Sequence, residues 1–195
     1  MFVGWVERSD THHPHRTTKR PLVGIASLNP PYDDRITPMS NYRRLFLPGC
    51  TFFFTVNLAD RRSDLLVRHV DLLRASWRDV ARQQPFETIA AVILPDHMHL
   101  VIALPEGDAD YPARLRLLKS GFTRRLPAAA KGEGRKGERN VWQRRYWEHA
   151  IRDDADLEAH VNYVHFNPVK HGHAAEMDDW PFSTWARRKA DLGFM

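Results

Sequence analysis

Residues 94–104 read Leu94-Pro95-Asp96-His97-Met98-His99-Leu100-Val101-Ile102-Ala103-Leu104, a turn-forming pair followed by an apolar run that contains two histidines. Side chains of an extended strand alternate between two faces, so His97 and His99 share one face. The remaining face is apolar, with Met98, Leu100, Ile102 and Leu104. The pattern therefore predicts a strand that presents two imidazoles side by side on a rigid sheet.

The His97 and His99 pair has two interpretations. Imidazole is the commonest side-chain metal ligand, and a pair at i and i+2 can bind one side of a divalent ion. With 11 histidines in 195 residues, such a triplet also arises by chance. Its members would then be partly exposed, hydrogen-bonded histidines at the rim of a sheet. A metal site needs a third ligand, so the metal interpretation depends on whether another part of the sequence supplies one.

Upstream of this stretch, the sequence predicts two further strands and a helix. Residues 51–58 alternate in a run rich in aromatic and β-branched side chains, which is typical of a strand. Ser63 is a candidate N-cap for a helix over residues 66–80, where apolar side chains recur at helical spacing. Residues 88–94 are almost continuously apolar, which indicates a buried central strand. The Pro95-Asp96 turn makes it an antiparallel neighbour of the histidine-bearing strand.

Downstream, the pattern completes a recognisable order of elements. Apolar side chains at helical spacing predict a second amphipathic helix over residues 115–126. Residues 127–140 are small, charged and glycine-bearing, which indicates a mobile loop. Residues 141–143 and 146–151 then indicate strand. The order strand, helix, strand, strand, helix, strand matches a ferredoxin-like α+β sandwich. We expect an antiparallel sheet with the histidine motif on a central strand and helices on one face.

A third helix is predicted after the last strand. Asp153 and Asp154 are placed to cap its start, and Asn167-Pro168 is placed to end it. Tyr163 and Asn167 are four residues apart, so on a helix they lie one above the other and can point into the same site. The alternative is a surface tyrosine and an asparagine that merely terminates the helix.

Composition and charge limit the class of protein. A chain of 195 residues with 43% hydrophobic content is long enough for one domain with a sizeable core. A net charge of +5 and a sequence pI near 9.6 favour a polyanionic partner. Cys50 is the only cysteine, so no intrachain disulfide can form. No apolar run resembles a secretion signal or a membrane span, and we expect a cytoplasmic protein.

Residues 1–38 differ from the rest of the chain. They hold five prolines, a cluster of histidines and no sustained period of a helix or a strand. Such a composition cannot bury a face of its own. We expect residues 1–38 to be a disordered extension or the product of an over-long start assignment, with Met39 as the alternative start. Residues 39–195 would then form a single domain.

Three separated motifs carry a resemblance to a known family. They are His97-Met98-His99, then Trp142-Gln143-Arg144-Arg145-Tyr146-Trp147-Glu148-His149, then Tyr163-Val164-His165-Phe166-Asn167-Pro168-Val169-Lys170-His171-Gly172. In this order they resemble the single-tyrosine HUH transposases, and within them the REP-associated tyrosine transposases of bacteria. The likeness runs from about Met39 through Trp180-Pro181-Phe182-Ser183. Several motifs in register are more specific than any one of them.

The resemblance implies a role for each site residue. His97 and His99 would bind a divalent cation, Asn167 would complete that metal site, and Tyr163 would be the nucleophile. Mg²⁺ or Mn²⁺ suits the mixed nitrogen and oxygen ligands, with tetrahedral Zn²⁺ as the competing assignment. The implied activity is that of a transposase and endonuclease that cleaves and rejoins single-stranded DNA at hairpin, REP-like palindromic sequences. A covalent 5′-phosphotyrosine link would be the intermediate. The likeness favours a monomer, with a dimer as the alternative.

Basic residues between 114 and 145 are the candidate contacts to that DNA. Eleven lysines and arginines stand there against two glutamates, so the segment can track phosphates, or it is simply a solvated basic face. Trp142, Tyr146 and Trp147 could stack bases, although core packing is favoured for tryptophans that flank a strand. The candidate DNA-binding residues are Arg114, Arg116, Lys119, Arg124, Arg125, Arg144 and Arg145.

Two other classes of function stay open at this point. A ferredoxin-like sheet with basic loops is also the scaffold of RNA-binding modules, which perform no chemistry. Those modules have no use for a pair such as His97 and His99. A metal-dependent phosphodiesterase would keep the histidines, but it would use activated water in place of Tyr163. Only the transposase forms a covalent adduct with DNA.

Overall fold

A four-stranded antiparallel sheet dominates the computed structural model, which describes residues 47–130 and 141–191. The strands are β1 (Thr51–Asn57), β2 (Glu87–Ile93), β3 (His97–Ala103) and β4 (Trp147–Ala150). They lie in the order β2-β3-β1-β4, so the histidine-bearing strand is interior, as predicted. The antiparallel turn between β2 and β3 is confirmed as well.

Five α-helices and two short 3₁₀ helices accompany the described part of the sheet. The 3₁₀ helices span Ala128–Ala130 and Met177–Asp179. The α-helices are α1 (Leu65–Arg68), α2 (Val70–Gln83), α3 (Tyr111–Arg125), α4 (Asp154–Lys170) and α5 (Trp185–Asp191). Asp110 and Asp153 cap α3 and α4 by accepting hydrogen bonds from the backbone N–H three residues on. The α+β class and the predicted order of elements are confirmed.

The main core lies between α1, α2, α3 and one face of the sheet. The helices contribute buried apolar side chains at helical spacing, such as Leu73, Trp77 and Phe122. The sheet contributes every second residue of its two interior strands, namely Phe52, Phe54, Val56, Met98, Leu100 and Ile102. The opposite face of β3 is thereby left for His97 and His99, as the alternation predicts.

The prediction that the helices lie on one face is wrong for α4. This helix packs on the other face of the sheet, where Val161, Tyr163 and Val164 meet Phe53 and Val101. The physical reason is that the second face of the sheet also carries buried apolar side chains, namely Phe53 of β1, Val92 of β2 and Val101 of β3. A sheet that is apolar on both faces needs a layer of helix on each.

The expectation of a central position for β2 is also wrong, because β2 is an edge strand. Residues 182–184 cover its outer edge: the N–H of Ile93 donates to the Phe182 carbonyl at 2.8 Å, and the N–H of Thr184 donates to the Ala91 carbonyl at 2.9 Å. An edge strand covered in this way has the same apolar sequence as a central one.

Two predicted helix boundaries differ from those of the structure. The helix expected over residues 66–80 is divided at His69, whose φ of −118° and ψ of 33° are not helical. The third helix runs past Asn167-Pro168 to Lys170. Pro168 has no N–H to donate and its ring crowds the carbonyl four residues earlier, but it stands only two residues before the end of the helix at Lys170, so one further half-turn follows it. The helix ends at Lys170, and Gly172, two residues later, has the positive φ of 69° that the usual C-terminal turn requires.

Several predictions fall on residues that the structure does not describe. The extension at residues 1–38 lies outside the described residues, as does residues 131–140 of the predicted loop. The division into an extension and a single domain over residues 39–195 stays a prediction. Within residues 47–130 and 141–191, no helix combines the length and apolarity that a membrane crossing requires.

A buried histidine joins α4 to the segment that covers β2, and it makes stability depend on pH. His165 Nε2 lies 3.0 Å from Thr184 Oγ1, which accepts a hydrogen bond from the Ala91 N–H at 2.9 Å. Burial, with smaller effects from Arg188 and Arg187, lowers the pKa of His165 to about 4. Between about pH 6.5 and pH 4, His165 is therefore protonated in the unfolded chain but neutral in the native chain.

We expect the free energy of unfolding to fall by about 3 kcal/mol between pH 7 and pH 4 through His165. The measurement is urea denaturation of the wild type and of His165→Gln at several pH values in this range. Glutamine can keep a hydrogen bond to Thr184 but does not titrate, so its curve should fall less. An identical fall in the two proteins would contradict this assignment.

Candidate active site on the α4 face of the sheet

His97 and His99 lie side by side on the face of the sheet that α4 covers. Their ring centroids are 4.9 Å apart, with the rings nearly perpendicular. His97 is only 6% exposed and His99 only 3%. The alternative of two partly exposed histidines at the rim of a sheet is therefore wrong.

A cross-strand hydrogen bond orients the His99 ring. Thr55 is the direct partner of His99 in the pairing of β1 and β3, and its Oγ1 lies 2.9 Å from His99 Nδ1. His99 Nε2 is buried and has no hydrogen-bond partner among the residues that the structure describes. A buried nitrogen of this kind is the atom that a metal ion would bind, with the other nitrogen held by a neighbour.

The His97 ring is oriented by a chain of charged groups. Its Nδ1 lies 2.7 Å from Asp96 Oδ1, which leaves Nε2 available to a ligand. Asp96 Oδ2 in turn accepts from Arg61 Nε at 2.8 Å, and Arg61 also donates to Asn57. Burial lowers the pKa of His97, and burial together with the neighbouring His97 lowers the pKa of His99 well below its ordinary value. Both rings are thereby kept neutral, the form that binds metals.

Helix α4 brings Tyr163 to this pair of histidines. The Tyr163 and His99 ring centroids are 5.2 Å apart, and Phe53 packs against both rings. Lys170 Nζ lies 5.1 Å from the centroid of the Tyr163 ring. Tyr163 is buried, so the alternative of a surface tyrosine is wrong.

Asn167 lies one helical turn beyond Tyr163 and is fully buried. Its amide oxygen and nitrogen both lack hydrogen-bond partners among the described residues. Leaving such a group unpaired costs about 1–3 kcal/mol. Together with the unpartnered Nε2 of His99, the orphaned Asn167 oxygen fits a divalent cation. The helix continues past Asn167, so it does not act as a helix terminator.

The residues that orient the two histidines escaped the sequence analysis. Asp96 had a local signal, because it precedes His97 in a motif that had already been singled out. The sequence held no signal for Thr55 or Arg61. The Thr55 contact depends on the register of β1 against β3, and the Arg61 contact depends on the loop after β1. His171, whose ring centroid lies 5.7 Å from that of His97, is brought close by the end of α4.

A second cluster of possible metal ligands was also missed. His149, Asp156 and His160 each offer an atom, and these atoms lie within 4.8 Å of one another, so the cluster could hold a metal ion. His149 Nε2 lies 2.8 Å from Asp156 Oδ2, to which Arg152 Nε also donates at 3.0 Å. Burial alone would raise the pKa of Asp156, but the hydrogen bonds from Arg152 and His149 lower it. The spacing of Asp156 and His160 by four residues was the available signal.

A basic groove of about 580 Å³ lies between α3 and the segment before β4. Four of the predicted DNA-binding residues line it, namely Arg116, Lys119, Arg124 and Arg144. The other lining side chains are polar, aromatic or proline: Pro112, Ser120, Thr123, Trp142, Gln143 and Tyr146. Arg145 is exposed beside the groove but does not line it.

Arg114 and Arg125 do not belong to this groove. Arg114 is 3% exposed, and its guanidinium donates to Asp108 and to the carbonyls of Gln84 and Pro85. Arg125 forms an ion pair with Asp79 on the neighbouring helix α2. A sequence count treats every arginine as exposed, whereas helix packing turns these two toward protein partners. The prediction that Arg114 contacts DNA is therefore wrong.

The three aromatic residues near β4 occupy different environments. Trp142 is half-buried, packs on Phe122 and donates its indole N–H to the Lys119 carbonyl at 3.1 Å. Tyr146 is half-buried against Phe54. Core packing was the favoured expectation, and it is wrong for Trp147, which is 40% exposed.

Two known proteins are similar to this chain over most of its length. No family model matches it. A REP-associated tyrosine transposase of Escherichia coli K12 is 48% identical over 149 residues, covering 76% of this chain and 84% of the relative. A Haemophilus influenzae protein of the same description is 45% identical over 153 residues, covering 76% of this chain and 87% of the relative.

A solved structure agrees with these relatives. It is that of a REP-associated tyrosine transposase bound to a REP hairpin. It is 48% identical, with a TM-score of 0.70, and the match covers 78% of this chain and 86% of that one. By sequence and by fold, the chain belongs to the family of REP-associated tyrosine transposases.

Proposed function

We propose that this protein cleaves and rejoins single-stranded DNA next to a REP-like hairpin through a covalent link to Tyr163. His97, His99 and Asn167 would hold a divalent cation, Mg²⁺ or Mn²⁺. The observation that carries the proposal is the packing of the Tyr163 ring 5.2 Å from that of His99, whose Nε2 is buried without a partner among the described residues.

A hairpin DNA partner is supported by two observations. The solved relative described above is bound to a REP hairpin. In this chain, Arg116, Arg124 and Arg144 line one groove, and clustered cations of this kind can bind phosphates. Lys119 lines the groove as well, but its Nζ donates to the Gln143 carbonyl at 2.6 Å. We expect the binding to weaken steeply with salt, because each neutralised phosphate releases counterions.

The chemistry of the tyrosine accounts for both cleavage and rejoining. The phenolic oxygen of Tyr163 attacks phosphorus, the bond from phosphorus to the 3′ oxygen breaks, and that oxygen takes up the proton that the phenol loses. The product is a 5′-phosphotyrosine and a free 3′-hydroxyl. One phosphodiester replaces another, so the reverse step can rejoin the strand without ATP. Since the unperturbed pKa of a tyrosine is near 10, the attack needs assistance.

The residues around Tyr163 supply that assistance in separate ways. A bound cation would withdraw charge from a phosphate oxygen and orient phosphorus for in-line attack. Phe53 and His99 fix the Tyr163 ring by packing, which limits its freedom before the reaction. Lys170 brings a positive charge close to this ring, where the phosphodiester would arrive.

The donor set suits Mg²⁺ or Mn²⁺, with tetrahedral Zn²⁺ as the competing assignment. Two neutral imidazoles and one amide oxygen leave the ion its full positive charge and form no closed tetrahedral set. Imidazole nitrogen favours Mn²⁺ over Mg²⁺ within that pair. Because nitrogen ligands bind Zn²⁺ more tightly than Mn²⁺, the ion that supports formation of the covalent adduct tests this assignment, and affinity alone does not.

The test of the function is a denaturing gel of the protein mixed with Mn²⁺ and a labelled hairpin oligonucleotide taken from repeats beside the gene. A DNA band retarded by covalently attached protein, absent when a chelator is added, is the expected result. Cleavage without such a band would overturn the proposal in favour of water as the nucleophile. Binding with neither would leave a nucleic-acid-binding module.

The arginines near the groove give a prediction with opposite outcomes for two neighbours on α3. Arg114→Ala should lower the free energy of unfolding by about 3 kcal/mol, because the Asp108 carboxylate and two backbone carbonyls lose their hydrogen-bond donor. Arg116→Ala should leave stability within about 0.5 kcal/mol but weaken hairpin binding and reduce its salt slope by about 1. Urea denaturation and fluorescence anisotropy measure the two effects. The reverse pattern would contradict the assignment of the two residues.

The assembly and location are proposed on the same family relationship. We infer a monomer in the cytoplasm, where the DNA of a bacterium lies. Light scattering on the purified full chain, with and without the hairpin, measures the assembly. A dimer that persists at micromolar concentration in both conditions would contradict the monomer.

A further inference from the structure

We propose that Trp147 is a stacking platform for an unpaired nucleobase close to the scissile phosphate. The proposal rests on the function proposed above and deepens it, because it assigns a base-binding residue to the same site. It stands on the position of Trp147 in the sheet, on the exposed fraction of the residue and on the location of the basic groove.

Trp147 belongs to the same row of the sheet as the candidate metal ligands. In the strand pairing, Trp147 lies opposite Thr55 on β1, and Thr55 lies opposite His99 on β3. Directly opposed residues share a face, so the Trp147 indole is on the side of Tyr163. Two strand spacings separate Trp147 from His99, or about 10 Å.

The indole packs against two neighbouring rings, and the residue as a whole is partly exposed. Its centroid is 5.9 Å from that of the His149 ring, with the two planes only 6° apart. Phe53 contacts it edge to face at 5.5 Å. With this support, 40% of the residue is still exposed, beside a site where most other side chains are buried. A rigid aromatic surface of this kind is what a base stacks on.

The basic groove lies on the α3 face of the sheet and Tyr163 lies on the α4 face. Trp147 lies on the edge strand β4, between the two. Tyr146 lines the groove and packs on Phe54, on the α3 side of the sheet. The next residue, Trp147, points to the α4 side and packs on Phe53. A DNA strand that contacts both the groove and Tyr163 therefore passes around the start of β4. Trp147 is the aromatic side chain at that crossing that lies on the same face of the sheet as Tyr163.

The test measures the coupling between the indole and individual bases by anisotropy. The probe is the labelled hairpin used above, with single-stranded flanks in which each nucleotide in turn is replaced by an abasic one. The proteins are the full-length wild type, Trp147→Phe and Trp147→Leu. Leucine keeps apolar bulk without a ring face, so it tests stacking without opening a cavity.

On the intact probe, Trp147→Leu should raise Kd by about 5- to 150-fold, the usual range for one base–aromatic stack. Trp147→Phe should retain most of the affinity. At one flank position, removing the base should weaken binding of the wild type by the same factor. On that abasic probe, wild type and Trp147→Leu should then have the same Kd. Phe166→Ala is the matched control, because Phe166 is an aromatic residue of similar exposure, 37%, and should leave Kd unchanged.

An unchanged Kd for Trp147→Leu, or the same loss on every abasic probe, would overturn the stacking proposal. So would a wild type that binds none of the hairpins. A single coupled position together with no covalent band in the gel assay would keep the stacking site and reject the proposed chemistry. The two proposals therefore fail in distinguishable ways.

Discussion

Replacing Tyr163 by phenylalanine is expected to reduce formation of the covalent protein–DNA adduct by about 10⁴-fold or more, the scale seen when a nucleophile is removed. The change deletes only the hydroxyl, and the ring can keep its packing on Phe53 and His99. Folding and hairpin affinity should therefore stay close to those of the wild type. The denaturing gel with Mn²⁺ measures the adduct, and anisotropy measures the affinity.

Tyr111→Phe is the matched control for that experiment. Tyr111 is a buried tyrosine on the α3 side of the sheet, and its hydroxyl donates to Glu148 at 2.6 Å. Losing this hydroxyl should cost stability by about 1–3 kcal/mol but leave adduct formation intact in the folded protein. Normal adduct formation by Tyr163→Phe would mean that another group is the nucleophile.

Replacing His99 by alanine is expected to weaken Mn²⁺ binding by more than 100-fold. His99 Nε2 is the buried nitrogen that would bind the metal, and alanine offers no ligand atom at this position of β3. Asp96→Asn and Thr55→Val act only through the hydrogen bonds that orient His97 and His99, so each should cost about 10- to 100-fold. Calorimetric titration of the DNA-free protein with Mn²⁺ measures all three without relying on activity.

The His149, Asp156 and His160 cluster supplies the contrasting outcome. If the cation bound there instead, His160→Ala would abolish Mn²⁺ binding and His99→Ala would not. We expect the reverse, because Asp156 is already hydrogen-bonded to Arg152 and His149. The electron paramagnetic resonance spectrum of bound Mn²⁺ should then change in Asp96→Asn and remain unchanged in His160→Ala.

The sequence motifs identified the family, and the sequence patterns identified the class of fold. The alternation in residues 51–58 and 97–104 sufficed to predict two antiparallel strands and the shared face of His97 and His99. The four-residue spacing of Tyr163 and Asn167 placed both on one side of a helix. Such patterns are local, because the periods of strand and helix are set by backbone geometry within a few residues.

Features that depend on distant packing were predicted less well. Arg114 and Arg116 are alike in the sequence, yet one is buried against Asp108 and the other lines the groove. The apolar run of β2 suits a central strand, and only the contact with residues 182–184 makes it a covered edge.

By itself, the sequence indicated the four strands and the main helices, the candidate nucleophile and metal ligands, the excess of positive charge and the family. Only the tertiary structure decided that α4 covers the second face of the sheet, that Thr55 and Asp96 orient the histidines, and that Trp147 stays exposed. The physical reason is that backbone periodicity is written in neighbouring residues. Burial and hydrogen-bond partners depend instead on which distant segments meet, and that depends on the packing of the whole chain.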